Sequence, residues 1–232
     1  MSLEPRVLHE DNHLLIAEKP PGMPSQQDAS GDLDMLSALK NYVKRAYNKP
    51  GEAWLGLVHR LDRPAGGVMA FARTSKAAAR LAEQMKDGRF CKEYLCVCRG
   101  QPVAGRLEHW LTKDERTNTV TATAGERPGS LWAALELAPL HTREGLTLCR
   151  VNLLTGRPHQ IRVQMAAIGH PLWGDQRYNP EARPGQWLAL WSARLTLEHP
   201  TRREQMTFTS LPQGGIWERF EPGLYSGEDG NG

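Results

Sequence analysis

The sequence predicts an α+β fold, and three observations carry that expectation. Short apolar or alternating runs bounded by Gly, Pro and Asp recur along the chain and read as strands. Two stretches place apolar residues at helical spacing behind Asp or Thr capping residues. No repeat and no linker separates two folding units, so residues 1–222 are expected as one domain and 223–232, ending in "SGEDGNG", as a disordered tail. With 232 residues, 40% hydrophobic and 24% charged, the chain can bury a substantial core.

The elements follow in order. "HLLIAEK" (13–19) reads as a strand and "PPGMPSQQDASGD" (20–32) as a loop, with Lys19 anchoring its first turn. Asp32 or Asp34 caps a helix whose Met35, Leu36, Leu39 and Val43 share a face, and "NKPGEAW" ends it. Val68–Ala72 reads as a short buried strand. Thr74 or Ser75 then caps a helix facing inward with Ala78, Leu81, Ala82 and Met85, and Gly88 stops it. "CKEYLCVCRG" alternates, with Tyr94, Cys96 and Cys98 on one side and Leu95 and Val97 on the other. Residues 113–130 are polar and turn-rich and suggest a hairpin. "LTLCRVNLL" is a strand, and "WLALWSARLTL" with "HPTRREQMTFTS" gives strand, turn and strand, packed by Trp187 and Trp191.

Composition narrows the function. No apolar run approaches the ~20 residues of a membrane span, and the start "MSLEPRVLHED" lacks the layout of a signal peptide, so a cytoplasmic protein is expected. The four cysteines lack CxxC spacing, which disfavours a metal site or a disulfide framework. Net charge is only +3. Yet Gly145–Gly174 holds no Asp or Glu, while Arg150, Arg157, His159, Arg162 and His170 fall inside it, a pattern suited to a local phosphate-binding surface.

Two stretches carry chemistry. "LVHRLDRPAGGVMAFA" (57–72) sets one carboxylate, Asp62, among His59, Arg60 and Arg63. In "LLTGRPHQIRVQMAAIGHPLWGDQRY" (153–178), Pro158 suits the first turn of a helix of about three turns, which Gly169 and Pro171 stop. Ile161, Met165 and Ile168 should face the core, with Arg162 emerging beside it. A carboxylate acting on a polyanion must stay ionised, which a nearby guanidinium favours, and its repulsion of phosphates must be offset. Arg60, Arg63, Arg157 and His159 would supply that offset and seat a nucleic acid backbone. A single acid does not suit two-metal phosphoryl transfer or an ordinary glycosidase, which need several carboxylates.

"HRLDRPAGGVMAFA" resembles the HRLD signature of the RluA-type RNA pseudouridine synthases, and "TGRPHQIRVQMAAIGHPLWGDQRY" resembles their second signature, TGRxHQIR through GHP and GDxxY. "AEKPPGMPSQ" is similar to their NKPxG stretch and "CKEYLCVCRG" to their KxY strand. The four occur in the family's order between about residues 14 and 178. The resemblance implies a mixed, mostly antiparallel bent sheet with flanking helices and a central RNA-binding cleft. It implies isomerisation of a uridine in transfer or ribosomal RNA to pseudouridine, with no cofactor or metal. Asp62 would be the catalytic carboxylate, Tyr94 the ring against the target base, and Arg162 the basic residue that pairs with the aspartate. Arg60 would help replace the extruded base. Only about a dozen residues precede the first matched strand, too few for the S4 domain of many relatives, so a catalytic domain alone, acting as a monomer on a compact stem-loop, is expected.

The chain departs from the family at Ala65-Gly66-Gly67, where Thr-Ser-Gly is common, at Arg73 for lysine and at Gln164-Met165 for His-Leu. The first departure removes two hydroxyls that could hold the aspartate loop. His59 and His159 are read as structural groups or phosphate contacts, since no nucleophile accompanies them. The rival readings are a non-catalytic RNA-binding or assembly protein and a base-removing hydrolase.

Overall fold

"GGVMAFA", the strand β4 (Gly66–Ala72), is buried at all seven positions. A strand covered on both faces has no polar side to alternate with, which is why its sequence is continuously apolar and small. The computed structural model of the chain describes residues 4–48 and 50–226. They divide into two units, Met1–Lys92 with Ser192–Ser210, and Glu93–Trp191 with Leu211–Gly232. The fold is a mixed, mostly antiparallel sheet with few helices, as the sequence predicts.

The first unit contains β1 (Arg6–Glu10), β2 (Leu14–Lys19), α1 (Met35–Ala46), β3 (Gly56–Leu57), β4 and α2 (Ser75–Asp87). Most of β10 (Leu190–Glu198), from Ser192 onward, and β11 (Gln205–Thr209) complete it. The strand order is β1-β2-β4-β10, with β11 on β10 and β3 on β4. Leu14, Ile16, Val68, Ala70, Ala77, Leu81, Phe90, Leu195 and Leu197 form one core cluster.

Both helices start where the sequence places them. The Asp34 carboxylate accepts from the Ser37 amide at 3.0 Å, and Thr74 Oγ1 from Ala77 at 3.1 Å, so each satisfies an orphan donor of the first turn. Gly88 ends α2 in the left-handed conformation at φ 81°. The fully buried residues of α2 are Ala77, Leu81 and Gln84, and Ala78 and Met85 of the expected stripe pack partly buried against the same core. Gln84 is tolerated inside because its amide pairs with both backbone groups of Glu198, donating at 2.8 Å and accepting at 2.9 Å.

In the second unit β5 (Cys91–Arg99, from Glu93 onward), β9 (Leu146–Leu153), β8 (Leu131–Arg143), β6 (Gly105–Asp114) and β7 (Thr119–Thr123) are neighbours in that order, each pair antiparallel. The hairpin expected over 113–130 is the end of β6 with β7. Leu111, Val120, Ala133 and Val163 make a buried cluster, with Tyr178 against it.

Three expectations need correction. The helix in the second signature, α3, covers only Gln160–Ala167: Pro158 lies outside it, and His159, at φ 51°, turns the chain into it. All six residues from Gln160 to Met165 are buried, so α3 has no solvent stripe on its first turns, and Arg162 lies inside rather than emerging. Trp191 is buried but Trp187 is 65% exposed. It precedes β10 and presents its backbone, not its ring, inward: the Trp187 carbonyl packs on Gly174, where a Cβ would collide with it. Of the expected tail, Gly223–Ser226 form the short helix α4, with Tyr225 buried and its hydroxyl donating to the Phe220 carbonyl at 3.3 Å. The remainder, 227–232, lies outside the described residues.

Candidate active site

Asp62 lies half-buried on the loop between β3 and β4, and both of its neighbours are clamped. Ser25 Oγ donates to the Leu61 carbonyl at 2.8 Å and accepts from the Leu61 amide at 3.1 Å. On the other side the Arg63 carbonyl receives the Gly22 amide at 2.8 Å and Lys19 Nζ at 3.1 Å. Lys19 is fully buried and spends its other N–H groups on Pro20 O, at 3.0 Å, and Met23 O, at 2.7 Å. The turn anchor read from the sequence therefore reaches across to the aspartate loop. Burial pushes the Lys19 ammonium down to about 7, against the opposing pull of the Asp62 charge. The Ala65 amide closes a turn on the Asp62 carbonyl at 3.0 Å.

This network answers the loss of Thr-Ser at 65–66. Ala65 and Gly66 are buried where a hydroxyl would need its own partner, and Ser25 and Ser192 supply hydroxyls from other segments instead. Ser192 Oγ donates to Val68 O at 3.0 Å. Gly67, at φ 116°, lets β4 approach the Ser192 backbone so closely that no Cβ fits.

The basic residues beside Asp62 differ in kind. Arg60 is exposed and makes no hydrogen bond or ion pair among the described residues. Arg63 is engaged within its own unit, donating to Gly22 O and Ser30 Oγ, each at 3.0 Å, and to Asp32, with Asp28 3.6 Å away. His59 accepts the Ala70 amide at 3.0 Å and meets Phe90 edge-on, with ring centroids 5.4 Å apart. Burial, with the nearby Lys92 charge, pushes its imidazole down to about 3, so it is neutral and structural rather than a phosphate-binding cation.

In the second unit, Tyr94 is buried on β5 opposite Val151. Arg162 is 5% exposed and donates twice to one carboxylate, Nε to Asp175 Oδ2 and NH2 to Asp175 Oδ1, both at 2.8 Å. The Arg177 and Tyr178 amides complete the shell of Asp175 at 3.0 and 3.2 Å. Burial alone would raise the Asp175 carboxyl, but the Arg162 bonds and charge, with those amides, hold it below the usual range. The approach to α3 is fixed by Gln160, which donates to Ala134 O at 3.0 Å and accepts from Thr155 Oγ1 at 2.8 Å and the Arg157 amide at 3.0 Å. Arg157 Nε reaches Trp132 O at 3.0 Å, and His159 Nδ1 lies 2.8 Å from Tyr178 Oη.

The acid-free stretch is therefore not one positive patch. Arg162 is neutralised by Asp175 just beyond the stretch, Arg150 lies 3.9 Å from Glu93 across the strand pair, and His170 bonds to Arg99 O at 2.8 Å. Of the other two departures, Arg73 is absorbed, bonding to Glu10 at 2.7 Å and Asp11 O at 2.8 Å and covering the Tyr47 ring, whereas Gln164, beside the fully buried Met165, donates to Leu107 O at 3.2 Å but leaves its buried Oε1 without a hydrogen bond among the described residues. Sequence reasoning named neither Asp175 nor Tyr178. Both stand in the quoted GDQRY, and an acid at the very end of an acid-free basic run was the available signal.

Comparison with known proteins gives the same direction. Residues 13–167 match the family model described as RNA pseudouridylate synthase. The chain is 33% identical over 226 residues to ribosomal large subunit pseudouridine synthase D of Yersinia pestis, covering 89% of this chain and 67% of that protein. It is 31% identical over 240 residues to the protein of the same name from Pseudomonas aeruginosa, covering 93% and 71%. Among solved structures, human RNA pseudouridylate synthase domain containing 4 shares the fold, with a TM-score of 0.74 over 90% of this chain and 89% of that one at 21% identity.

Proposed function

The chain belongs to the RNA pseudouridylate synthase family, and from that premise we propose that Asp62 is its catalytic carboxylate and a uridine of large-subunit ribosomal RNA its substrate. The protein is an isomerase acting on RNA. In that reaction the bond from uracil N1 to ribose C1′ breaks, the base turns, and C5 joins C1′; C5 gives up its hydrogen and N1 gains one, so the product is an isomer. Nothing is oxidised or transferred away, and no cofactor is invoked.

The base must leave its stack before it can turn. Tyr94 offers a flat apolar face for a rotating uracil without fixing it by directed bonds. Asp62 engages the ribose, Arg162, whose charge keeps Asp175 ionised, is the buried cation of the second signature, and Arg60 fills the place of the extruded base. Arg157 and His159 bind the backbone, while Arg63 adds charge and staples the loop. The observation that carries this reading is the clamp on Leu61 and Arg63, which holds the residues on both sides of Asp62; a carboxylate on a loop held this way is preorganised for one geometry. No helix among the described residues is long and apolar enough to cross a membrane, and we place the enzyme's work in the cytoplasm, as a monomer on an RNA stem-loop.

The test is tritium release from RNA labelled at uracil C5, with large-subunit ribosomal transcripts and total transfer RNA as separate substrates. Release from the ribosomal transcript that disappears in Asp62→Asn, with RNA binding kept within about threefold, is the expected result. Release from transfer RNA alone moves the substrate to that class, and an abasic product without release makes the protein a base-removing hydrolase. Binding without either makes it an assembly factor.

A further inference from the structure

Tyr178 sits where three segments of the second unit meet. Its ring lies under the Arg162 guanidinium, 5.2 Å from centroid to Cζ. Its amide donates to Asp175 Oδ1, the oxygen that also receives Arg162 NH2. Its hydroxyl oxygen accepts the Val120 amide of β7 at 2.9 Å and lies 2.8 Å from His159 Nδ1. The arrangement that satisfies all three groups has the phenol receiving from Val120 and donating to His159. Burial raises the Tyr178 phenol above its usual range, so the hydroxyl keeps the proton it donates. The neighbouring Arg177 adds a second tie to the hairpin, donating to Thr117 O at 2.9 Å and Thr119 Oγ1 at 3.2 Å. His159 needs such a tie: it holds a left-handed conformation at the entry to α3 with no side-chain cap of its own on the helix.

We infer that Tyr178 is a positioning residue for Arg162, its ring backing the guanidinium and its hydroxyl locking the entry of α3 to β7, so that α3, β7 and the 175–178 turn hold Arg162 as one body. The inference rests on the proposed role of Arg162, but the placement of the guanidinium is measurable apart from it. Asp175 fixes the direction of Arg162 through two bonds in the guanidinium plane, and the Tyr178 ring covers the face that those bonds leave open.

The test uses the full chain and two variants, Tyr178→Phe, which removes only the hydroxyl, and Tyr178→Leu, which also removes the ring. The first readout is the Arg162 side-chain Nε–H resonance of the protein without RNA, assigned by its absence in Arg162→Lys. In wild type it is expected to be ring-shifted and slow to exchange; Tyr178→Phe should exchange about tenfold faster while keeping the ring shift, and Tyr178→Leu should lose both. The second readout is steady-state tritium release, where Tyr178→Phe should lower kcat about tenfold with KM for RNA within about twofold. A wild-type protein that releases no tritium refutes the proposed reaction and leaves the resonance to decide the positioning role. An Nε–H signal unchanged in both variants overturns the inference whatever the activity does. An altered signal with kcat intact, or a loss that falls on KM, overturns it as well.

Discussion

Replacing Lys19 with methionine tests the clamp around Asp62 with little change in volume. The substitution deletes three hydrogen bonds from Nζ. The Arg63 carbonyl keeps the Gly22 amide, so two carbonyls, those of Pro20 and Met23, lose the partner Nζ gave them. At about 1–3 kcal/mol for each unsatisfied buried carbonyl, reduced because this loop is half-open to water, the local cost is about 2–4 kcal/mol. Native-state hydrogen exchange reads it directly: protection of the Gly22, Leu61 and Ala65 amides should fall about 30- to 1,000-fold, while β9 amides keep theirs. The pH dependence has a definite sign. Burial places the folded Lys19 near 7, below its ordinary 10.5, so between those values the unfolded chain binds the extra proton. Stability from this residue therefore rises with pH across that window, by about 1 kcal/mol per unit, and Lys19→Met should lose the slope. Equal amide protection in the two proteins, together with parallel stability curves from pH 7 to about 10, would refute the clamp.

Three further outcomes follow from the same structure. Gly67→Ala would drive a Cβ into the Ser192 backbone at a φ that alanine avoids, and should cost more than about 3 kcal/mol in urea unfolding. The Asp175 carboxyl is held below its unfolded value by Arg162, so its contribution is present at neutral pH and lost as pH falls through the folded value. Asp175→Asn should therefore be less stable at pH 7 and should show a flatter acid limb, measured by denaturant midpoints from pH 7 to about 2. Arg60, exposed and without a partner among the described residues, should contribute only to RNA: Arg60→Ala is expected to leave the melting temperature unchanged and to reduce the slope of log K against log salt by about 1.

Local signals were legible in the sequence. Asp34 and Thr74 cap the helices, Gly88 ends α2 in the left-handed region, and the strand over 91–99, though buried on both faces from Tyr94 to Cys98, and the strand, turn and strand near the end are where the residues suggest. What failed was decided at a distance. Gln84 joins the buried face of α2 because it finds the backbone of Glu198, 114 residues away. The length of α3 is cut because Gln160 spends its amide on the loop before it and on Ala134 in β8. β8 itself carries no sequence signature of a strand: it has Pro139 at a register shift and exposes residues at both ends, so it shows no clean period of two. In the candidate site, Asp62 and Arg162 stand out by motif, whereas Asp175, which orients Arg162, is marked only by ending an acid-free basic run, and nothing local to Lys19 signals its reach to Arg63.

The first unit is completed only by Ser192–Ser210, which bring Leu195 and Leu197 into its core. A ribosome making this chain must therefore extrude about a hundred further residues after Lys92 before β4 gains its neighbour β10. At about 5–20 residues per second that interval lasts roughly 5–20 s. Throughout it, a seven-residue strand of small apolar side chains has one edge paired only by the two residues of β3. Nascent chains of this protein should therefore depend on holding chaperones during synthesis, and shortening the chain before residue 198 should yield aggregates rather than a smaller folded unit.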